Sequence, residues 1–221
     1  MSLVLFDLDD TLIDGDSASL WSEFMLHRGL ADQDFVEQEQ AMMQKYAAGE
    51  MSMDDYMAFT LAPLRGMSQT EIAKQTALFA LNEIEPRVYP AAKETVKQAQ
   101  LAGQRLIVIS ATADFVVQAA AKRLGIREVI AIQTELVDGH YTGNTVGVLS
   151  YQQGKVTRLQ DYLGEDYPDL MRTATFYSDS RNDLPLLNEV GCPKVVNPDR
   201  TLRQYAEKCG WPILRWQREN G

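Results

Sequence analysis

The chain is poor in the side chains that most often build metal sites and activated nucleophiles: its 221 residues include two histidines, His27 and His140, and two cysteines, Cys192 and Cys209. Two imidazoles leave no material for a multi-histidine zinc site and little for a histidine-based hydrolase. The cysteines have no ligand spacing and read as small buried residues. No apolar run approaches the ~20 residues of a membrane-crossing helix, and MSLVLFDLDD shows no basic leader with a cleavage site. A cytoplasmic protein with no membrane partner is therefore expected. Positive charge is also scarce. Against 31 acidic residues stand 21 basic ones, and the net charge of −10 repels polyanions, which argues against a nucleic-acid partner. A small anionic substrate is still admitted where positive groups gather locally. If the chain is an enzyme, its catalysis has to run on carboxylates.

What is present is enough apolar material, 45%, to fill a core. Residues 2–7, SLVLFD, form a short apolar run ending in an acid, the pattern of a buried parallel strand that delivers side chains to a crevice. From about 17 to 84 the spacing predicts four helices and no strand: one before Gly29, then about 33–47, 53–62 and 69–82. Ser52 with Asp55 and Ser68 with Glu71 mark starts, and Gly49 marks a stop. After Pro86 and Pro90 the pattern alternates. A helix at 91–102 precedes strand RLIVIS, a helix at 113–124 precedes strand EVIAI, and a hairpin is expected across DGHYTGNTVGVLS. A helix near 155–163, strand TATFYS, a helix near 183–190, strand PKVVN and a helix near 200–208 follow. The expected fold is α/β, a doubly wound parallel-sheet core (1–14 and 87–221) interrupted by an all-helical cap (15–86).

Asp7 and Asp9, in DLDDTL, lie two apart where the first strand must end, because acids cannot continue a buried strand. Taken alone, such a D-x-D-x-T string arises by chance in roughly one chain in thirty of this length, and an acidic turn explains it as well. Three further predicted element ends carry matching chemistry: Ser110 after RLIVI, Lys155 in QGKVTRL, and Asp179 with Asp183 in YSDSRNDLP.

In this order the set resembles the four signature motifs of the haloacid dehalogenase superfamily, and PAAKETV followed by GQRLIVIS resembles its phosphoserine-phosphatase-like branch. The resemblance covers about 1–14 and 87–200, and the cap only in position and helical character. It implies a Rossmann-like core and a phosphomonoesterase in which Asp7 attacks phosphorus to form an aspartyl-phosphate. Asp9 protonates the leaving alcohol and later activates water. It also implies Mg²⁺ held by Asp7, the backbone carbonyl of Asp9, and Asp179, with Asp183 supporting that shell and Lys155. Lys155 adds a fixed positive charge, and Ser110, at the start of the following helix, and Asn182 cradle the phosphate. Thr11 orients the loop. A dehalogenase lacks the second aspartate, since halide leaves without a proton, so Asp9 argues for phosphate. A phosphomutase, a sugar-phosphate phosphatase and a non-catalytic phosphate-binding module rank below.

Phosphoserine phosphatases have an acid nine positions after the nucleophile that meets the substrate ammonium, and Asp16 stands at that offset here. The same residue is also placed to cap a helix at Ser17. Arg65, in APLRGMS, is the candidate for a carboxylate-binding cap arginine, although a solvated loop arginine is the commoner state. Trp21, Phe24, Tyr46, Tyr56 and Phe59 could stack on a substrate ring, but their helical spacing favours core packing for most of them. With the acid retained and no arginine aligned, histidinol phosphate is the expected ester and phosphoserine the alternative. Oligomeric state is not legible.

Overall fold

The computed structural model describes residues 2–48, 50 and 52–218. Gly49, read as a helix stop, and the Tyr46 ring lie outside what is described.

The first strand, β1 (Leu3–Phe6), is buried on both faces: Leu3 and Leu5 join one core, Val4 and Phe6 the other. That is the period-two pattern of a central parallel strand. The chain then runs through four helices, α1 (Ser17–His27), α2 (Gln33–Ala48), α3 (Met53–Leu61) and α4 (Gln69–Phe79), before α5 (Pro90–Leu101). Helix starts follow local chemistry. Asp16 accepts the Ser19 amide, Ser52 the Asp55 amide, and Ser68 with Glu71 forms a reciprocal capping box. The helix predicted over 69–82 ends as an α-helix at Phe79 and continues as a wider turn over Ala80–Ile84.

Strand β2 (Arg105–Ala113) leads to α6 (Asp114–Arg123), β3 (Glu128–Val137) and β4 (His140–Val146). There follow α7 (Gln153–Leu163), α8 (Tyr167–Met171), β5 (Thr175–Ser178), α9 (Leu184–Leu187), β6 (Cys192–Val196), α10 (Arg200–Cys209) and β7 (Ile213–Leu214). The sheet order is β4-β3-β2-β1-β5-β6-β7, parallel except for the β3–β4 hairpin. Strand order reverses at β1, between β2 and β5, and that switch point opens a crevice beyond the strands' C-terminal ends.

Helices α7 to α10 pack on one face of the sheet, and α5 and α6 on the other. The α1–α4 segment is not a separate globule. Trp21, Phe24, Tyr56, Met57, Ile72 and Phe79 share one core with Phe115, Val116 and the sheet. The hairpin also reaches it by backbone bonds, with Gly66 N–H to Tyr141 O, Tyr141 N–H to Met67 O and Gln69 N–H to Gly139 O at 2.8–2.9 Å.

The expectation of buried cysteines is corrected. Cys192 and Cys209 are both exposed free thiols, because one opens a strand near the sheet edge and the other ends the polar side of α10. Among the described residues no helix is long and apolar enough to cross a membrane.

Candidate active site

Three strand ends meet at the switch point. Asp7 follows β1, its amide donating to Tyr177 O on β5, so backbone pairing continues into this aspartate. Lys155 Nζ donates to Asp7 Oδ1 at 2.8 Å and lies 2.7 Å from Asp183 Oδ1. Asp183 Oδ2 also accepts from Ser178 Oγ at 2.7 Å. Lysine and Asp183 are only 3% and 1% exposed, so this is a buried cluster of two carboxylates on one ammonium. Burial pushes the Asp7 carboxyl up and Lys155 pulls it down, while Asp183 and Asp9 add to the rise. Burial opposes the Lys155 charge, yet Asp183 and Asp7 outweigh it and hold the amine protonated, above the usual lysine range.

Asp9 is held by three donors: the Ser17 amide on Oδ1 at 2.6 Å, and Thr112 Oγ1 at 3.0 Å and Ser110 Oγ at 3.4 Å on Oδ2. Burial nevertheless raises it to about 6, with Asp16 adding repulsion and the Ser17 and Thr112 bonds limiting the rise. Asp10, at φ 52°, turns the chain away, and its side chain accepts the Gly15 amide, closing the loop. Thr11 Oγ1 donates to Asp179 Oδ1 at 3.0 Å, tying the first loop to the loop after β5. Asp179 is raised well above its ordinary value by burial, then by Asp7, Asp10 and Asp183, against the Thr11 bond.

These residues line a cavity of about 410 Å³ whose walls include Asp7, Asp9, Asp16, Tyr56, Lys155 and Asp179. Asn182 lines it too, its Oδ1 accepting from Tyr151 OH and Gln152 Nε2. Asp16 caps α1 and also lines the cavity. Burial raises it, the Ser19 amide restrains the rise, and Glu39 and Asp10 add to it.

Two expectations are corrected. Ser110 does not open the next helix. The strand runs on, irregularly, to Ala113 and α6 starts at Asp114, so the buried Ser110 hydroxyl meets Asp9 and the Thr112 amide while Thr112 takes the place on the cavity wall. Arg65 is not brought to the cavity. It is exposed and donates from Nε to Thr142 O, because the chain before α4 pairs with the hairpin. Of the aromatic candidates whose side chains are described, only Tyr56 lines the cavity. Trp21 packs against Phe24, Phe79 and Phe115, and Phe59 stacks on Phe35.

Other residues on or behind the cavity wall carry no motif. Glu39, on α2, is 1% exposed and accepts from Ser19 Oγ and Tyr56 OH at 2.9 and 2.7 Å. Arg181 and Arg200 join the cavity wall on the side of β5 and α10. Thr112 was the most accessible of these to sequence reasoning, since it shares a strand face with Ser110.

Any group held here must suit oxygen donors. Among the described residues no three His, Cys, Asp or Glu side chains form a metal cage by themselves. Two carboxylates, Asp7 and Asp179, with the Asp9 carbonyl leave several positions for water and substrate, which fits Mg²⁺ rather than Zn²⁺ or a fully caged Ca²⁺. Asp7, Asp9, Asp10 and Asp179 crowd one end of the cavity, and their mutual repulsion fits a hard cation.

Gly154 decides where Lys155 stands. A Cβ built there would lie 1.9 Å from Leu149 O, a backbone atom that cannot rotate aside. Gly154→Ala is expected to force the loop outward, costing ~2–4 kcal/mol of stability and lowering activity about 100-fold. Thermal unfolding together with a turnover assay checks this, and a near-normal variant would show that the loop has slack.

Residues 4–188 match the model of the haloacid dehalogenase-like hydrolase family. A histidinol-phosphatase from Neisseria meningitidis serogroup C is 38% identical over 98% of this chain and 99% of its own length. A phosphoserine phosphatase from Mycobacterium tuberculosis is 30% identical over 94% of this chain and 68% of its own. A crystal structure of a Bordetella pertussis Tohama I protein of unknown function is 34% identical, covering 96% of this chain and 97% of that one, with a TM-score of 0.89.

Proposed function

This chain belongs to the haloacid dehalogenase-like hydrolase family, and on that premise we propose that it is a magnesium-dependent phosphomonoesterase acting on a small amine-bearing phosphate ester, histidinol phosphate first. The observation that carries the phosphatase reading is the buried Asp7–Lys155–Asp183 cluster facing one cavity with Asp9. In this reading Asp7 attacks phosphorus and takes the phosphoryl group, breaking the bond to the ester oxygen, and Asp9 gives that oxygen its proton. Asp9 then takes a proton from water as it attacks the aspartyl-phosphate, which returns Asp7 and releases phosphate. Lys155 neutralises charge beside Asp7, and Asn182 donates to the phosphoryl oxygens. Asp7, Asp179 and the Asp9 carbonyl would hold Mg²⁺, which when bound offsets the repulsion between Asp7 and the phosphate. Segment 15–86 would act as the cap over core segments 1–14 and 87–221. A cytoplasmic location suits the two free thiols.

For the substrate, the support is the Neisseria relative together with the charge at the α1–α2 side of the cavity. Asp16, on the cavity wall, and Glu39, buried off the wall beneath Ser19 and Tyr56, are near enough to repel each other, and among the described residues neither is ion-paired with a lysine or arginine. An ammonium group would balance them. The experiment is phosphate release from histidinol phosphate, phosphoserine and sugar phosphates, each with Mg²⁺ and with a chelator. Activity should vanish in chelator and return with Mg²⁺, with kcat/KM for histidinol phosphate at least about tenfold above phosphoserine. A preference for phosphoserine would overturn the substrate, and hydrolysis unaffected by chelation would overturn the metal.

A further inference from the structure

The turn that leads into α7, the helix carrying Lys155, holds a residue in a conformation its type rarely takes. Gln152 stands at φ 49°, ψ −120°, in the positive-φ half of the map that a Cβ disfavours. The Gly154 N–H to Tyr151 O bond, 2.8 Å, closes a turn with Gln152 at the first central position, where such angles are ordinarily supplied by glycine. The same helix shows the ordinary solution at its other end, where Gly164 stands at φ 56°, ψ −131°. Gln152 is exposed, so its presence does not follow from core packing. Strain of this kind persists where surrounding interactions over-determine it, and it gathers at functional sites.

The side chain supplies those interactions. Gln152 Nε2 donates to Tyr151 OH at 2.9 Å and to Asn182 Oδ1 at 3.3 Å, and Tyr151 OH donates to the same Oδ1 at 3.4 Å. Each bond to Asn182 is long, but both converge on one oxygen. A primary amide has an accepting end and a donating end. Two donors on Oδ1 make the flipped amide, with its NH₂ turned toward them, the worse arrangement. Asn182 and Tyr151 line the cavity, whereas Gln152 stands outside it.

We propose that Gln152 is a positioning residue which, through Tyr151 and Asn182 Oδ1, sets the Asn182 amide with its N–H groups toward the phosphate. This rests on the phosphatase reading, in which Asn182 meets the phosphoryl oxygens. It also accounts for a glutamine where the backbone asks for glycine, since glycine would relax the turn and leave the amide without its second donor.

The test is a double-mutant cycle on the Mg²⁺-loaded enzyme, read by the inhibition constant of inorganic phosphate and by KM and kcat for p-nitrophenyl phosphate. Gln152→Gly deletes the side chain while relaxing the backbone, so the loop is not disturbed by the change. It is expected to raise the phosphate inhibition constant and KM by about fivefold, with a smaller effect on kcat. In an Asn182→Ala background the same change should shift them by less than about 1.5-fold. Gln152→Glu, which sets a carboxylate against Asn182 Oδ1, should weaken phosphate binding more than Gln152→Gly does. Equal factors in both backgrounds, or no shift from Gln152→Gly where Asn182→Ala gives one, would overturn the clamp and leave the phosphatase reading intact. A wild-type protein that neither cleaves the ester nor binds phosphate would bring down both.

Discussion

Asp7→Asn is expected to abolish phosphate release, by about 10⁴-fold or more, in a protein that stays folded. The loss follows from chemistry: an amide oxygen is a far weaker nucleophile than a carboxylate, and no other carboxylate reaches the same position after β1 to replace it. The survival of the fold follows from charge. Asp7 and Asp183 share one ammonium, that of Lys155, so with both carboxylates ionised the metal-free cluster has one negative charge too many for a buried place, and burial answers by raising the Asp7 carboxyl toward protonation. Asparagine keeps the shape, removes that charge and leaves a one-to-one pair of Lys155 with Asp183. The unfolding midpoint in chelator should therefore be unchanged or higher than that of the wild type. Phosphate release and thermal unfolding on the same preparation check both halves. Activity within tenfold of wild type would remove Asp7 from the nucleophile role, and collapse of the variant would show that Asp7 holds the fold through contacts that asparagine cannot make.

The parts of this site that were legible in the sequence are those whose signal is local. Asp7 ends an apolar run, Asp179 ends another, and Ser52, Ser68 and Asp16 announce helices by bonds to amides three residues on. What was not legible depends on partners distant in sequence. Glu39 reads as one more acid on the polar side of a helix, and only the folding of α3 against α2 brings Tyr56 OH onto it. Arg65 looked available to a substrate because nothing near it in sequence foretells the pairing of residues 66–69 with the hairpin. Ser110 was assigned to a helix start because β2 was expected to stop with the apolar run. The strand instead continues through polar residues that face Asp9, and a tertiary contact sets its length. The two-residue β7 has too little sequence to announce itself, and it forms only because β6 offers an edge.

Lys155→Met carries the second large effect, and it separates structural from catalytic roles. Methionine of similar length leaves Asp7 and Asp183, both buried, with no ammonium between them, so a cluster of formal charge −1, counting both acids as ionised, becomes one of −2, and the burial that raises Asp7 is no longer opposed by the lysine. Breaking a buried pair from one side costs ~3–5 kcal/mol, which for a chain of this size lowers the unfolding midpoint by roughly 6–20 °C. Activity should fall by about 10²- to 10³-fold, because the fixed positive charge beside the attacking carboxylate is gone. Adding Asp183→Asn to Lys155→Met returns the charge to −1, with Ser178 Oγ still able to bond the amide oxygen, and so should recover most of the lost stability. It restores nothing at Asp7, and activity should stay down. Thermal unfolding and phosphate release of the single and double variants decide the matter. Recovery of both together would mean that Lys155 only holds the loops in place, whereas recovery of stability alone assigns its charge to the reaction.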